Sequence, residues 1–150
     1  MDLQIKVITN YSNEIKNSVE HLLKLLQGSD SGISDHKLRE IIASENSYLF
    51  LAANAQDVCM GMLTIGIYQS PTGKKAWIED VAVDEFFRGQ SIGENLITFA
   101  IQFARRHNVD VLNLTSSPAR VAANNLYKKA GFQPKETNVY RMVLSTDSYA

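Results

Sequence analysis

The sequence predicts an α+β fold, a mixed and mostly antiparallel sheet flanked by helices in the order β-α-α-β-β-β-α-β-α-β. Three observations predict it. Apolar residues switch along the chain between strand-like alternation and the three- and four-residue spacing of amphipathic helices. In the middle, apolar runs are joined by short polar turns, the pattern of an antiparallel meander. The second half then runs helix, strand, helix, strand, which makes the sheet mixed.

Residues 3–9 alternate, with Leu3, Ile5 and Val7 apolar against Gln4 and Lys6, as a half-buried strand does. From Asn13, the residues Ile15, Val19, Leu22, Leu23 and Leu26 share one helical face, and Gly28 is placed as a C-terminal cap. Residues 28–32 form a loop. Ser34 is the expected N-cap of a second helix that buries Leu38, Ile41 and Ile42. Strands at 48–53 and 58–68 flank a polar turn at 54–57. Gly61 and Gly66 in the second strand each mark a bulge or a close-packing point. A turn at Ser70-Pro71-Thr72-Gly73 leads into the next strand, 75–83.

A glycine-bearing turn then opens a helix with Leu96, Ile97, Ala100, Ile101 and Ala104 on one side, ending near His107-Asn108. Residues 109–115 are rich in Val and Leu without clean alternation, and are predicted to be a central, buried strand. Ser117 reads as N-cap and Pro118 as first residue of a helix that carries Val121, Ala122, Leu126 and Ala130 and stops at Gly131. Residues 138–144 are the last expected strand, before a polar tail from Ser145.

The chain of 150 residues is one domain, 1–150, with no internal repeat or linker. Net charge is -1, so no global basic field argues for nucleic acid or an anionic membrane as partner. Cys59 is the only cysteine, which excludes an internal disulfide and a Cys-rich zinc site. His21, His36 and His107 show no metal-ligand spacing, so no metal is expected. The N-terminus lacks a signal-peptide pattern, and no apolar run approaches the roughly 18 residues of a membrane span. A soluble, cytoplasmic protein is expected.

Chemistry concentrates between Trp77 and Leu96. This stretch is a strand, then Arg88-Gly89-Gln90-Ser91-Ile92-Gly93, then the first turn of a helix. A helix start offers about four backbone N–H groups without intrahelical partners and roughly half a positive charge. Glycines let the backbone approach a bulky anion. The stretch therefore reads as a pyrophosphate cradle. The chain opens with no Gly-x-Gly-x-x-Gly and holds no Gly-Lys-Ser/Thr, which argues against a mononucleotide or dinucleotide binder.

Val81-Ala82-Val83 followed by Arg88 to Gly93 resembles the acetyl-CoA signature, Arg/Gln-x-x-Gly-x-Gly/Ala, of the Gcn5-related N-acetyltransferases. About thirty residues on, Ala122-Ala123-Asn124-Asn125-Leu126-Tyr127-Lys128-Lys129-Ala130-Gly131-Phe132 is similar to that family's second signature, a helix with a tyrosine ending in Gly-Phe. The element order is also the family's. One departure stands out, Ser91 in place of the family's middle glycine.

The resemblance implies a sheet of six to seven strands flanked by four helices, a further strand following the sixth. It implies a direct acetyl transfer from acetyl-CoA, used as co-substrate without metal, to a primary amine of a small metabolite or peptide. Homodimers are frequent in the family, and the 138–144 region is one contact. Cofactor binding falls to Val81, Ala82, Val83, Arg88, Gly89, Gln90, Ser91, Ile92, Gly93, Asn124 and Tyr127. In the family the strand before the cradle splays from its neighbour, so that Val81 and Val83 would pair with the pantetheine arm and a backbone amide would polarise the thioester. Asn124 would bind the pantetheine amide. Tyr127 becomes the general acid for the leaving thiolate, its phenol near pKa 10 well matched to a thiol somewhat lower.

The base is Glu79 or Asp80, acting directly or through water. They are adjacent on a strand, so only one faces the acceptor unless a bulge intervenes. By simple alternation Glu79 shares a face with Val81 and Val83. The alternative, from another class, is a non-catalytic acyl-CoA-binding regulatory module that keeps the cradle alone.

Overall fold

The computed structural model describes residues 2–145. Strand β1 (Gln4–Val7) leads to helix α1 (Asn13–Gln27) and helix α2 (Asp35–Ala43). Strands β2 (Ser47–Ala53), β3 (Cys59–Ser70) and β4 (Gly73–Val83) follow as the meander. A short 3-10 turn, Glu85–Phe87, precedes helix α3 (Ile92–Arg106), strand β5 (Val111–Asn113) and helix α4 (Val121–Ala130). No helix among the described residues is long and apolar enough to cross a membrane.

Serine caps start the first two helices. The Ser12 hydroxyl accepts from the Ile15 N–H at 3.1 Å, and the Ser34 hydroxyl from the Lys37 N–H at 3.1 Å. Each removes one orphan donor from a helix start. Gly28 closes α1 at φ 115°, a backbone that a side chain would strain.

The sheet runs in spatial order β1-β2-β3-β4-β5. Its first three pairings are antiparallel, and β4 with β5 is parallel. One face packs on α3 and α4 through Phe50, Leu63, Ile65, Ile78, Leu96 and Phe103. The other packs on α1 and α2 through Leu49, Leu51, Met62, Val19, Leu22 and Leu38. Gly61 is where α3 presses on β3. A Cβ there would meet the Ala82 carbonyl at 2.9 Å and Leu96 Cδ1 at 3.1 Å.

Four expectations change. The register slips between Met62 and Thr64, which face Ala82 and Glu79, so β4 carries an extra residue there, with Asp80 at φ 53°. The bulge reverses the alternation. Glu79 therefore lies on the Thr64 and Met62 face with Ala82, while Val81 and Val83 pack with Ile78 on the α3 side.

Second, Ser117 and Pro118 do not begin α4. They form a turn in which Arg120 N–H reaches the Ser117 carbonyl at 3.0 Å, and the helix starts at Val121. Proline fits the second position of such a turn as well as a first helical turn. Third, β5 spans three residues rather than 109–115, and it is an edge strand with Val111 47% exposed. Fourth, among the described residues the sheet has five strands rather than six or seven, because 138–144 forms no strand and every residue from 133 to 144 is exposed. Alternation makes a segment competent to be a strand, but a strand exists only where a neighbour takes its backbone groups.

Candidate functional site

The site follows from a mismatch in length between two neighbouring strands. Strand β5 pairs with β4 only at Lys75, Ala76 and Trp77, opposite Val111, Leu112 and Asn113. Beyond Trp77, β4 runs on to Val83 while the other chain turns away toward α4. The edge of β4 from 78 to 83 is left without a β5 partner. The two strands part beyond Trp77.

The splay opens a cleft of about 510 Å³. Val81, Ala82 and Val83 form one wall, and Arg120 to Ala123 with Leu126 and Tyr127 form the other. Gly93 and Ile97 of α3 lie beneath, Leu25 and Leu26 of α1 border it, and Arg88 stands in its lining. The size and the mostly apolar walls suit an extended, flexible chain carrying a polar end.

At one end stands the N-terminus of α3. Unlike α1 and α2, it has no side-chain cap. Its N-cap, Ser91, sits in the left-handed region at φ 63° and ψ 22°, after Gly89 at φ 82°. The Ser91 carbonyl accepts from the Asn95 N–H at 3.0 Å and from Asn95 Nδ2 at 2.8 Å, which seals the first turn. The backbone N–H groups at 92–94 lack intrahelical partners and carry the positive end of the helix dipole. Asp84 braces the approach. Its carboxylate accepts from the Phe86 N–H at 3.0 Å and lies 2.8 Å from His21 Nε2 on α1.

Tyr127 is 8% exposed and borders the cleft. Burial raises its phenol above the ordinary value, and the Arg120 charge beside the same cleft pulls it back. A neutral phenol in that setting is a proton donor at physiological pH. Glu79 and Asp80 sit at the bulge and outside the cleft lining, each exposed as a residue while its carboxyl is partly screened from water. Partial burial raises both carboxyls, and the charge of Asp80 raises Glu79 further.

The structure thus gathers Val81, Ala82, Val83, Arg88, Gly93 and Tyr127 around one cleft. Gly89, Gln90 and Ser91 form the exposed loop before α3. Ile92 is 1% exposed with its side chain in the core, so only its backbone is available. Asn124 is not part of the lining; its side-chain N–H donates to the Ser117 carbonyl at 3.0 Å and ties α4 to the preceding turn. Sequence reasoning missed Arg120, Leu25 and Leu26. Arg120 lies seven residues before Tyr127, two helical turns, which is a usable signal. Leu26 read as ordinary core on the α1 face. Among the described residues no group of three His, Cys, Asp or Glu side chains could hold a metal ion.

The uncapped helix start, the unpaired edge of β4 and the tyrosine helix meet at one cleft on an α+β sheet. Consistent with this, the chain belongs to the acetyltransferase (GNAT) family, whose model matches residues 18–132. A Bacillus subtilis protein provisionally named a ribosomal-protein alanine N-acetyltransferase is 36% identical over 59 residues, 39% of this chain and 39% of that protein. The chain thus spans well under half the length of that relative. Among solved structures, an aminoglycoside acetyltransferase from an uncultured soil metagenomic sample superposes with a TM-score of 0.83 at 20% identity, covering 96% of this chain and 97% of the other. Glucosamine-6-phosphate N-acetyltransferase from Arabidopsis thaliana superposes with a TM-score of 0.78 at 20% identity, covering 95% and 99%. These likenesses establish the fold.

Proposed function

We propose that this chain is an acetyl-CoA-dependent N-acetyltransferase that moves an acetyl group directly to a primary amine of a small metabolite or peptide. One observation carries the reading: an unpaired edge of β4 faces Tyr127 across a cleft that begins at an uncapped helix start. The helix start suits the pyrophosphate, through backbone N–H groups and Arg88. The free edge at 81–83 suits the pantetheine amides, which would lie along it as an added strand.

In this reading a backbone N–H near Val81 donates to the thioester oxygen as charge develops there. Glu79, or Asp80 beside it, takes the proton of the acceptor ammonium through water, because neither carboxylate lines the cleft. The amine nitrogen bonds to the acetyl carbon, the carbon–sulfur bond breaks, and the Tyr127 hydroxyl gives its proton to the departing thiolate. Raised carboxyls are stronger bases than free ones, and a raised phenol keeps its proton to donate. A cytoplasmic location fits the single free Cys59.

The test is thiol release from acetyl-CoA across a panel of small amines and peptides, together with thermal melting in millimolar acetyl-CoA. A higher melting temperature with turnover on at least one amine is expected. Stabilisation without turnover on any amine would favour the acyl-CoA-binding module. No stabilisation at all would remove both readings.

A further inference from the structure

One surface of the sheet is not used by the acetyl-CoA cleft. Ala76 and Ile78 point into the core beneath α3, so Trp77 between them points to the opposite face. By the same alternation Gly66, between Ile65 and Ile67, lies on that face, and the register sets it across from Trp77. Helices α1 and α2 pack on this face at Leu49, Leu51, Met62 and Ala82. Toward the hairpin end the face is open. Tyr68 is 46% exposed, and a Cβ at Gly66 would meet nothing within 4 Å.

This open stretch has an order along β4. Trp77 is half-buried, and its indole N–H donates to the Tyr68 hydroxyl at 3.4 Å, which links the two aromatic residues. Gly66 leaves the space beside the indole empty. Glu79 lies two residues on along the same face, about 7 Å away, and is exposed. Lys75 lies two residues the other way, across from Tyr68, with its ammonium 2.6 Å from the Thr72 hydroxyl. Trp77 is also the last residue that β5 pairs, so the aromatic surface ends where the free edge of β4 begins.

We propose that this surface selects the acceptor as an aryl-bearing primary amine, its ring over Gly66 against Trp77 and Tyr68 and its ammonium toward Glu79. The inference rests on acetyl transfer as proposed above and names the acceptor class within it. Shape and charge point the same way. Trp77 and Tyr68 offer a flat apolar group the faces and edges on which aromatic rings stack. The Glu79 carboxylate attracts the ammonium, and a spacer of two or three atoms between ring and amine suits the step from Trp77 to Glu79. The Lys75 charge at the far end disfavours a second ammonium, which sets a neutral ring above a polyamine. Glycine at 66 is what makes the room, in a strand where a larger residue would pack better. An amine held at Glu79 stands beside the free edge at 81–83, along which the thioester would lie. Trp77 and Tyr68 thus position the acceptor and take no part in the proton transfers.

Trp77 is the only tryptophan in the chain, so tryptophan fluorescence reports this surface alone. The test titrates the full chain with phenethylamine and with propylamine, with and without millimolar coenzyme A, for the parent and for Gly66→Val. Phenethylamine should change the parent's emission saturably, and Gly66→Val should weaken that binding by about tenfold. Valine suits a strand better than glycine, so the variant fills the space without unfolding the sheet, and its urea midpoint should not fall. Thiol release at saturating acetyl-CoA gives a second readout. The kcat/KM ratio of phenethylamine to propylamine should drop by about tenfold in Gly66→Val. An emission that ignores phenethylamine, or a variant that binds and discriminates as the parent does, would overturn the proposal. Release from other amines with a silent Trp77 would overturn this inference alone. Saturable binding with no release from any amine would overturn the acceptor role and the acetyl-transfer reading together.

Discussion

At the scale of single residues, Ser91 and Tyr127 set the terms of the site. Ser91 occupies a left-handed backbone at φ 63° that costs a residue with a Cβ about 1 kcal/mol or more, and its side chain returns no cap bond. Ser91→Gly should therefore stabilise the fold by up to about 1 kcal/mol in urea titration, part of the relief being offset by glycine's entropy. It should also tighten acetyl-CoA binding by calorimetry. Weaker binding would mean that the hydroxyl itself touches the ligand. Tyr127→Phe should lower turnover by about 10²-fold while the acetyl-CoA dissociation constant stays within a few-fold, since only the proton is lost. The acid must be protonated to act, so activity falls as pH rises through a phenol value that burial has raised. Arg120 opposes that rise. Arg120→Gln should move the alkaline limb of the rate profile to higher pH, and a limb that stays in place would mean Tyr127 does not supply the proton.

At the scale of elements, the fold rests on α3 lying tightly on β3. With the Ala82 carbonyl at 2.9 Å and Leu96 Cδ1 at 3.1 Å from an added Cβ, Gly61→Ala should cost about 1–3 kcal/mol. Chemical denaturation would register the loss, and a neutral result would mean that α3 shifts freely. The sequence marked Gly61 as a bulge or close-packing point, and the structure shows both: β3 slips register against β2 beside it, and α3 packs closely on it. Elements with a local chemical signature were legible: the Gly28 end of α1 and the Ser34 start of α2 lie where capping chemistry places them. Errors arose where one signal serves two geometries. Ser117-Pro118 suits a helix start and a turn equally, and the structure takes the turn, with Asn124 bonded back to it. The alternation around Glu79 was sound arithmetic that one extra residue at Asp80 inverted.

At the scale of the whole molecule, the proposed cradle and tyrosine helix could be picked out because each is contiguous in sequence, and the fold brings Val81 to Val83, Arg88, Gly93 and Tyr127 to one cleft. Arg120, Leu25 and Leu26 could not be, because only the tertiary fold brings α1 and the α4 entry to the cleft. The same tertiary placement imposes a cost at Glu79 and Asp80. Both carboxyls are raised by burial, so the folded state favours their neutral forms. The contribution of these two groups to stability is then greatest below their unfolded values and declines as pH rises through the higher folded values. Asp80 adds backbone strain at φ 53°, which asparagine tolerates better than most residues. Glu79→Gln and Asp80→Asn should therefore each raise the urea midpoint at pH 7, with a gain that shrinks toward pH 4. The variant that removes the base should lose turnover while gaining stability, whereas the other gains stability alone. Destabilisation of both variants at pH 7 would instead make this carboxylate pair a structural hydrogen-bonding unit, and would leave the acceptor's proton to another group.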